Sequence, residues 1–294
     1  MFADGRLKLR HGPIDLIVES FGSSAEVKAS YQQATKAFSV ILCELAGELT
    51  ELRKKSGRTP VDVKGQIASE MVRAAQCFSP DYYVTPMIAV AGAVADHVLE
   101  QMVRGRSLSR AYVNNGGDIA LFLSANQSFN VGVCDNPLSG TFISKANIDS
   151  CSDVRGIASS GWRGRSHSLG IADAVTVLAR TAAIADASAT LIANAIDIPD
   201  HPLIKRTKAS LLNPDSDLGA RLVTVDVGAI TPAETQSALN SGRRVASSMI
   251  ASGQIIAVHG CLNSTMFSLD QSQCIKEDTA ESGACQSDQE RLSA

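Results

Sequence analysis

The chain reads as an α+β protein in which antiparallel sheets pack against helices. Three observations lead there. Apolar residues recur at three- and four-residue spacing in long stretches near both ends, short β-branched runs crowd together between 111 and 148, and those runs follow one another across Asn, Gly, Ser and Pro turns with no helix between them. The last point favours a meander over a βαβ repeat. With 294 residues and 45% hydrophobic content, the chain can fill a substantial core.

Residues 14–21 alternate in the manner of a strand. Ser23 and Ser24 then precede Val27, Tyr31, Ala34, Phe38, Ile41, Leu42, Leu45, Leu49 and Leu52, an amphipathic helix with an N-cap that ends at Lys54-Lys55-Ser56-Gly57. A second helix is predicted over 64–78. Thr85-Pro86 supplies an N-cap and a proline at the first helical position for a third, running to Val103 and containing the small-residue segment 89–95. Small side chains there let something approach the backbone closely. Strands are predicted at 111–114, 118–123, 129–134, 140–148, 155–159 and 174–179, and a helix over 182–196 that Pro199 terminates. Residues 205–219 read as a polar loop. Strands at 222–227 and 254–259 flank a helix over 231–252, whose Thr231-Pro232-Ala233-Glu234 start is a capping signal. Residues 1–270 are expected to form one domain. From Gln271 the sequence is nearly devoid of apolar residues, so 271–294 is expected to be a disordered polar tail.

Composition narrows the function. A net charge of -3 offers no overall attraction for nucleic acid. The longest apolar stretch, 87–98, is interrupted by Asp96 and His97 and is too short to span a bilayer, and the first residues show no signal peptide, so cytoplasmic residence is the default. Seven cysteines with no CxxC pair argue against a disulfide framework and a zinc ribbon. Cys43 and Cys77 fall in helical patterns and are expected in the core, whereas Cys134, Cys151 and Cys261 sit near turns where a thiol could be accessible. No Ser-His-Asp spacing, HExxH helix or GxxxxGK[ST] loop is present.

Three motifs carry chemistry. Asn114-Asn115-Gly116-Gly117-Asp118 lies between two strand signals and reads either as a hairpin turn or as a loop whose amides cradle an anion. Ser159-Ser160-Gly161-Trp162-Arg163-Gly164-Arg165-Ser166-His167 combines hydroxyls, two guanidiniums able to grip phosphate, and the chain's single tryptophan for stacking on a ring. Asp186 and Thr190 are four apart, so on a helix they share one face, and a carboxylate with a hydroxyl suits Mg²⁺. The plainer reading of Asp186 is a partner for a helix dipole. His167 and His97 are candidates for proton transfer near neutral pH.

Taken in order, the segments HGPIDLIVESFG, VAGAVADHVLEQM, YVNNGGDIALFL, GIASSGWRGRSHSLGIADAVTVLA and ADASATLIANAIDIP resemble the ApbE superfamily over roughly residues 10–265, most closely its cytoplasmic ApbE-like branch. Characterised members are FAD:protein FMN transferases. The resemblance implies an ApbE-like mixed fold, a flavin nucleotide (FAD or FMN), Mg²⁺, and an acceptor protein as partner. By motif position it assigns the flavin site to Gly92 and Ala93, to Asn115, Gly116, Gly117 and Asp118, and to Ser159, Ser160 and Gly161. Trp162, Arg163 and Arg165 join these from the residue chemistry. It makes Asp186 and Thr190 the metal candidates; Asp186 and, from its side-chain chemistry, His167 are the candidates for catalysis. One departure stands out: the transferases carry His-x-x-Asp-Pro-x-x-Gly after the Ser-Gly turn, where this chain has His167-Ser168-Leu169-Gly170-Ile171-Ala172-Asp173. Two outcomes follow as expectations, either FMN transfer or FAD hydrolysis, or else a small-molecule-binding protein of sulfide assimilation that uses a cysteine thiol. Amphipathic helices on a sheet-rich domain are compatible with a homodimer.

Overall fold

The structure, a computed structural model, describes residues 2, 4–57, 59, 61–79, 81–134, 142–164, 166–270, 276–279 and 292–293, with side chains for all of these except 133–134, 142–144, 276–279 and 292–293. The elements run β1 (Leu7–His11), β2 (Ile14–Gly22), α1 (Ser24–Leu52), α2 (Gln66–Gln76), a 3₁₀ turn (Pro86–Ala89), α3 (Val90–Val103), β3 (Leu108–Asn115), β4 (Asp118–Leu123), β5 (Ser128–Cys134), β6 (Phe142–Asp149), β7 (Gly156–Ser160), β8 (Ala174–Ala179), α4 (Ala182–Ala195), β9 (Ile204–Lys208), α5 (Ala209–Leu212), β10 (Leu222–Val227), α6 (Pro232–Ala251), β11 (Ala257–Leu262), β12 (Thr265–Asp270), β13 (Lys276–Thr279) and β14 (Leu292–Ser293).

An eight-stranded antiparallel sheet in the order β1-β2-β3-β4-β7-β8-β11-β12 forms the spine. Side chains alternate across it. Ala111, Val113, Ala120, Ala158, Val175, Val177 and Val258 point to the helical layer, where they join one core with α1, α3, α4 and α6. Tyr112, Ile119, Leu121, Ile157, Leu178 and Ala257 point the other way, onto Phe129, Val131 and Ile148 of the β5–β6 hairpin, which forms a second core. Helices, large sheet and small sheet thus make three layers. The β9–β10 pair stands apart from both sheets and is tied back by the Thr224 amide, which donates to the Ser168 carbonyl at 2.8 Å.

Local signals explain the helix ends. Ser23 accepts from the Glu26 amide at the start of α1, and Thr231 with Glu234 forms a complete capping box on α6. The proline-led start at Pro86 winds first as a 3₁₀ turn before α3. Five strands escape the sequence pattern: β1, β12, β9 inside the stretch expected to be a loop, and β13 and β14 inside the expected tail. All five lie at sheet edges. The strand expected over 254–259 is displaced to Ala257–Leu262. Within the expected tail only Lys276–Thr279 and Leu292–Ser293 are described, paired with β6 and β5, and the rest of 271–294 lies outside the described residues.

Gly156 marks the tightest joint between the sheet and α4. A Cβ there would sit 2.0 Å from the Thr181 carbonyl carbon and 2.2 Å from the Ala182 nitrogen, all of it backbone that cannot swing aside. Gly156→Ala is therefore expected to lower the unfolding free energy by about 1–3 kcal/mol in urea titrations. Gly47→Ala, at an exposed position of α1 with nothing within 4 Å of the added carbon, should raise it by about 0.5–1 kcal/mol.

Candidate functional site

Helices α3 and α4 meet through their first turns. The added Cβ of any residue but glycine at 92 would lie 2.2 Å from the Ala182 carbonyl oxygen and 2.6 Å from the Ala183 nitrogen, so what approaches the small-residue segment is the backbone of α4. Each helix then lends a carboxylate to the other. Asp186 Oδ2 accepts from the Gly92 amide at 3.0 Å, with the Ala91 amide also directed at the same carboxyl. Asp96 accepts from the first two amides of α4, Ala182 to Oδ1 at 3.0 Å and Ala183 to Oδ2 at 2.9 Å. Burial pushes both carboxyls up to about 7 against the pull of these amides, and the nearby charge of Asp96 adds to the rise at Asp186. Thr190 lies one turn beyond Asp186, half-buried like it.

The Asn-Gly-Gly-Asp segment is a two-residue hairpin turn. Asn115 pairs with Asp118 across it, and Gly116 and Gly117 have φ of 70° and 114°, the left-handed values this tight turn requires. Asn114 Oδ1 accepts from the Gly117 amide at 2.8 Å. Asn115, 8% exposed, donates from Nδ2 to the Ala91 carbonyl at 3.1 Å and so binds the hairpin to the start of α3. Three sequence-distant motifs therefore share one corner: Ala91-Gly92, Asn115 and Asp186. Ala93 is buried one residue further along α3.

Strand β7 pairs with β4 at Ile119–Ile157, which brings its end, Ser159-Ser160-Gly161, alongside the glycine turn. The two serines face opposite ways. Ser160 alternates with Ala158 toward the helices, whereas Ser159 is on the far face, its hydroxyl 2.9 Å from that of Thr176 on β8. On that same face Thr176 lies opposite His259 of β11, whose Nδ1 is 2.8 Å from the Ser268 hydroxyl of β12. A polar row thus crosses four strands.

Beyond Gly161 the chain is fastened to Asp173. Its Oδ1 accepts from Arg163 Nε at 2.8 Å and from the Trp162 indole at 3.3 Å, and Oδ2 accepts from the Asn263 amide in the β11–β12 turn at 2.7 Å. The Arg163 guanidinium lies 4.4 Å from the Trp162 ring centre. Arg163 thus has an internal counter-ion and a stacking partner. Arg165 lies outside the described residues. His167 is half-buried, and the segment after it is stitched to the end of α4: Leu169 donates to Asn194 Oδ1 at 2.8 Å, Ile171 to the Ile196 carbonyl at 2.8 Å, and a Cβ on Gly170 would sit 2.2 Å from the Ala193 carbonyl.

Sequence reasoning misses Asp96, Asp173, Thr176 and His259 as parts of this corner. Asp96 carries a signal, being an acid inside an otherwise apolar helical stretch; the others are legible only once β8 and β11 are adjacent. The cysteines differ from expectation. Cys43 and Cys77 are exposed, because Cys43 falls between Ile41 and Leu45 on the wrong side of the α1 stripe and Cys77 caps α2 at its solvent end. Cys261 is buried, since β11 lies between β8 and β12. Cys151 is exposed as expected, and the side chain of Cys134 lies outside the described residues. His97 is half-buried in α3 with its imidazole held below its ordinary range by burial.

This layered fold is of the ApbE-like class. A mutant form of Flavin Transferase ApbE from Vibrio cholerae superimposes with a TM-score of 0.50 over 91% of this chain and 97% of that one, at 12% identity. The chain belongs to the family described as AbpE bacteria, whose model matches residues 1–272. It is also similar to UPF0280 proteins of archaea: 36% identical over 172 residues to that of Methanothrix thermoacetophila, covering 58% of this chain and 68% of the relative, and 34% identical over 179 residues to that of Methanococcus vannielii, covering 58% and 72%.

The buried acids make stability depend on pH in a definite sense. A carboxyl raised from 3.8 to about 7 on folding holds its proton in the folded chain across that window, so the unfolding free energy falls as pH rises through it. His97 acts oppositely, because the folded chain binds its proton less readily. In metal-free buffer, unfolding free energies measured from pH 5 to 8 should therefore show a more positive slope against pH for Asp96→Asn than for wild type. Equal slopes would show that Asp96 does not titrate there.

Proposed function

We propose that the chain binds a flavin nucleotide, FAD or FMN, at the corner formed by Ala91-Gly92-Ala93, the Asn115–Asp118 hairpin and the Ser159–Gly161 turn, and that it transfers FMN to an acceptor or hydrolyses FAD with Mg²⁺. The carrying observation is the hydrogen-bonded convergence of Ala91-Gly92, Asn115 and Asp186. A flavin transferase of the same fold class suggests the ligand's identity.

The residues present fit a magnesium ion held mainly by its substrate. Among the described residues no group of three or more His, Cys, Asp or Glu is placed to hold a metal. Asp186 and Thr190 offer one carboxylate and one hydroxyl on a shared face, and Mg²⁺ commonly takes few protein ligands while keeping waters and phosphate oxygens. The Asp186 carboxyl, desolvated and beside a second acid, gains from a nearby cation. When bound there, the ion would supply Lewis-acid polarisation of a pyrophosphate oxygen.

The chain's own groups supply positioning. The left-handed Gly116-Gly117 turn leaves backbone free of side chains beside the ligand, and the Ser160 hydroxyl lies toward the helical layer for phosphate or ring contacts. Trp162 is proposed to stack on the ligand's ring and Arg165 to balance phosphate charge, while Arg163, already paired with Asp173, is proposed to hold Trp162 in place. His167 is the candidate for receiving the proton of an acceptor hydroxyl or water. The same reading has the chain working in the cytoplasm with a flavin nucleotide and an acceptor protein, as a monomer or homodimer. Among the described residues no helix is long and apolar enough to cross a membrane, and the net charge of -3 disfavours nucleic acid. Of the thiols named for a sulfide-handling role, Cys151 alone is described as exposed.

The test combines binding and chemistry. FAD added with Mg²⁺ should quench the fluorescence of Trp162 and yield AMP; Asp186→Ala should lower AMP formation at least tenfold. Absence of both quenching and AMP with wild type, or equal turnover in the variant, would refute the proposal.

A further inference from the structure

Asp96 lies in the segment VAGAVADHVLEQM without having been given any part in the site, yet it closes a ring of contacts around it. Gly92 and Asp96 are one turn apart on α3, and Ala182 and Asp186 are one turn apart on α4. Asp96 accepts from Ala182 and Ala183, and Asp186 accepts from Gly92, so two helical turns and two carboxylates form a closed loop.

The N-cap of α4 leaves to Asp96 the two amides it cannot reach. Helix α4 already has an N-cap: Thr181 accepts from the Ile184 amide at 3.2 Å through its hydroxyl and from the Ala185 amide at 3.1 Å through its carbonyl. Those bonds satisfy the third and fourth amides of the helix. The first two, on Ala182 and Ala183, are usually left to water. Here both residues are buried, at 0% and 4% exposure, with Gly92 pressed against one side and Gly156 beneath. Asp96 takes the place of that water with one oxygen per amide. Asparagine replaces one of those oxygens with an NH₂ donor, so it cannot reproduce the arrangement of one oxygen per amide.

We propose that Asp96 is the positioning residue for Asp186, fixing the start of α4 against α3 so that the Asp186 carboxyl meets the Gly92 amide. The two helices have no lateral slack, since the Ala182 carbonyl already occupies the place of a Cβ on Gly92. Loss of the Asp96 bonds frees the first turn of α4 to move, and Asp186, one turn on, moves with it. The consequence for a ligand rests on the flavin reading above, because Asp186 matters to a nucleotide only if one binds there. The contact ring itself is a property of the protein alone.

The experiment is residue-resolved amide hydrogen exchange on the free protein, without nucleotide or metal, for wild type, Asp96→Asn and Asp96→Ala. Asp96→Asn keeps one acceptor oxygen and carries the test if the alanine variant does not fold. Exchange is expected to speed up at least tenfold at Gly92, whose acceptor is Asp186, as well as at Ala182 and Ala183, while Val113 and Val177 in the sheet keep their wild-type rates. Asp186→Asn should reciprocally speed exchange at Ala182 and Ala183. Faster exchange at Ala182 and Ala183 with Gly92 unchanged would reduce Asp96 to a local cap and overturn the proposal. So would wild-type rates at all three amides. Neither result touches the flavin reading, which stands or falls on FAD binding and AMP formation by the wild-type chain.

Discussion

The α3–α4 crossing is a contact between two backbones, and most of what surrounds the candidate site depends on it. Helix dipoles place partial positive charge at each N-terminus, so two helices whose first turns touch would repel. Asp96 and Asp186 sit where that repulsion would be worst, each set against the partner helix's amides. Glycine at 92 permits the approach, glycine at 156 lets the sheet reach the same point, and the carboxylates make the approach favourable. The hairpin at Asn115 then attaches to the start of α3 through the bond from Asn115 Nδ2 to the Ala91 carbonyl. Moving any one of these elements would displace the others.

The acids carry an electrostatic cost that the fold retains. Two carboxyls displaced to about 7 are held against their own hydration. Carboxyls kept only for capping gain most when fully ionised and lowered. The magnesium reading proposed above would relieve part of that cost, because a cation beside Asp186 favours its ionised form.

Much of the fold was legible because interior strands carry their own signature. The runs at 118–123 and 174–179 coincide with β4 and β8 residue for residue. The unseen strands are edge strands. LKLRH and IKRTK pair on one side only, bear lysine and arginine, and lack the near-continuous apolar run that burial on both faces imposes. The candidate site was legible in part for a similar reason. Gly116-Gly117, Asp186 and Thr190 advertise themselves by turn chemistry or helical spacing. Asp173, Thr176 and His259 depend on which strands become neighbours, and no local pattern encodes that. The cysteines illustrate the same limit, since a small rotation away from the α1 stripe takes Cys43 out of the core.

Asp173 holds two loops with one side chain, Trp162 and Arg163 through one oxygen and the β11–β12 turn through the other. Its effect is on the thermodynamics of encounter. A tryptophan and an arginine on a glycine-flanked loop would ordinarily surrender side-chain freedom when a ligand arrives, on the order of 0.5–1.5 kcal/mol for each immobilised group. Here both are already stacked and tethered in the free chain, so that loss is shifted from binding to folding. Under the flavin proposal, a ring stacking here would meet a preorganised platform, and its affinity would reflect shape and charge more than the ordering of a loop.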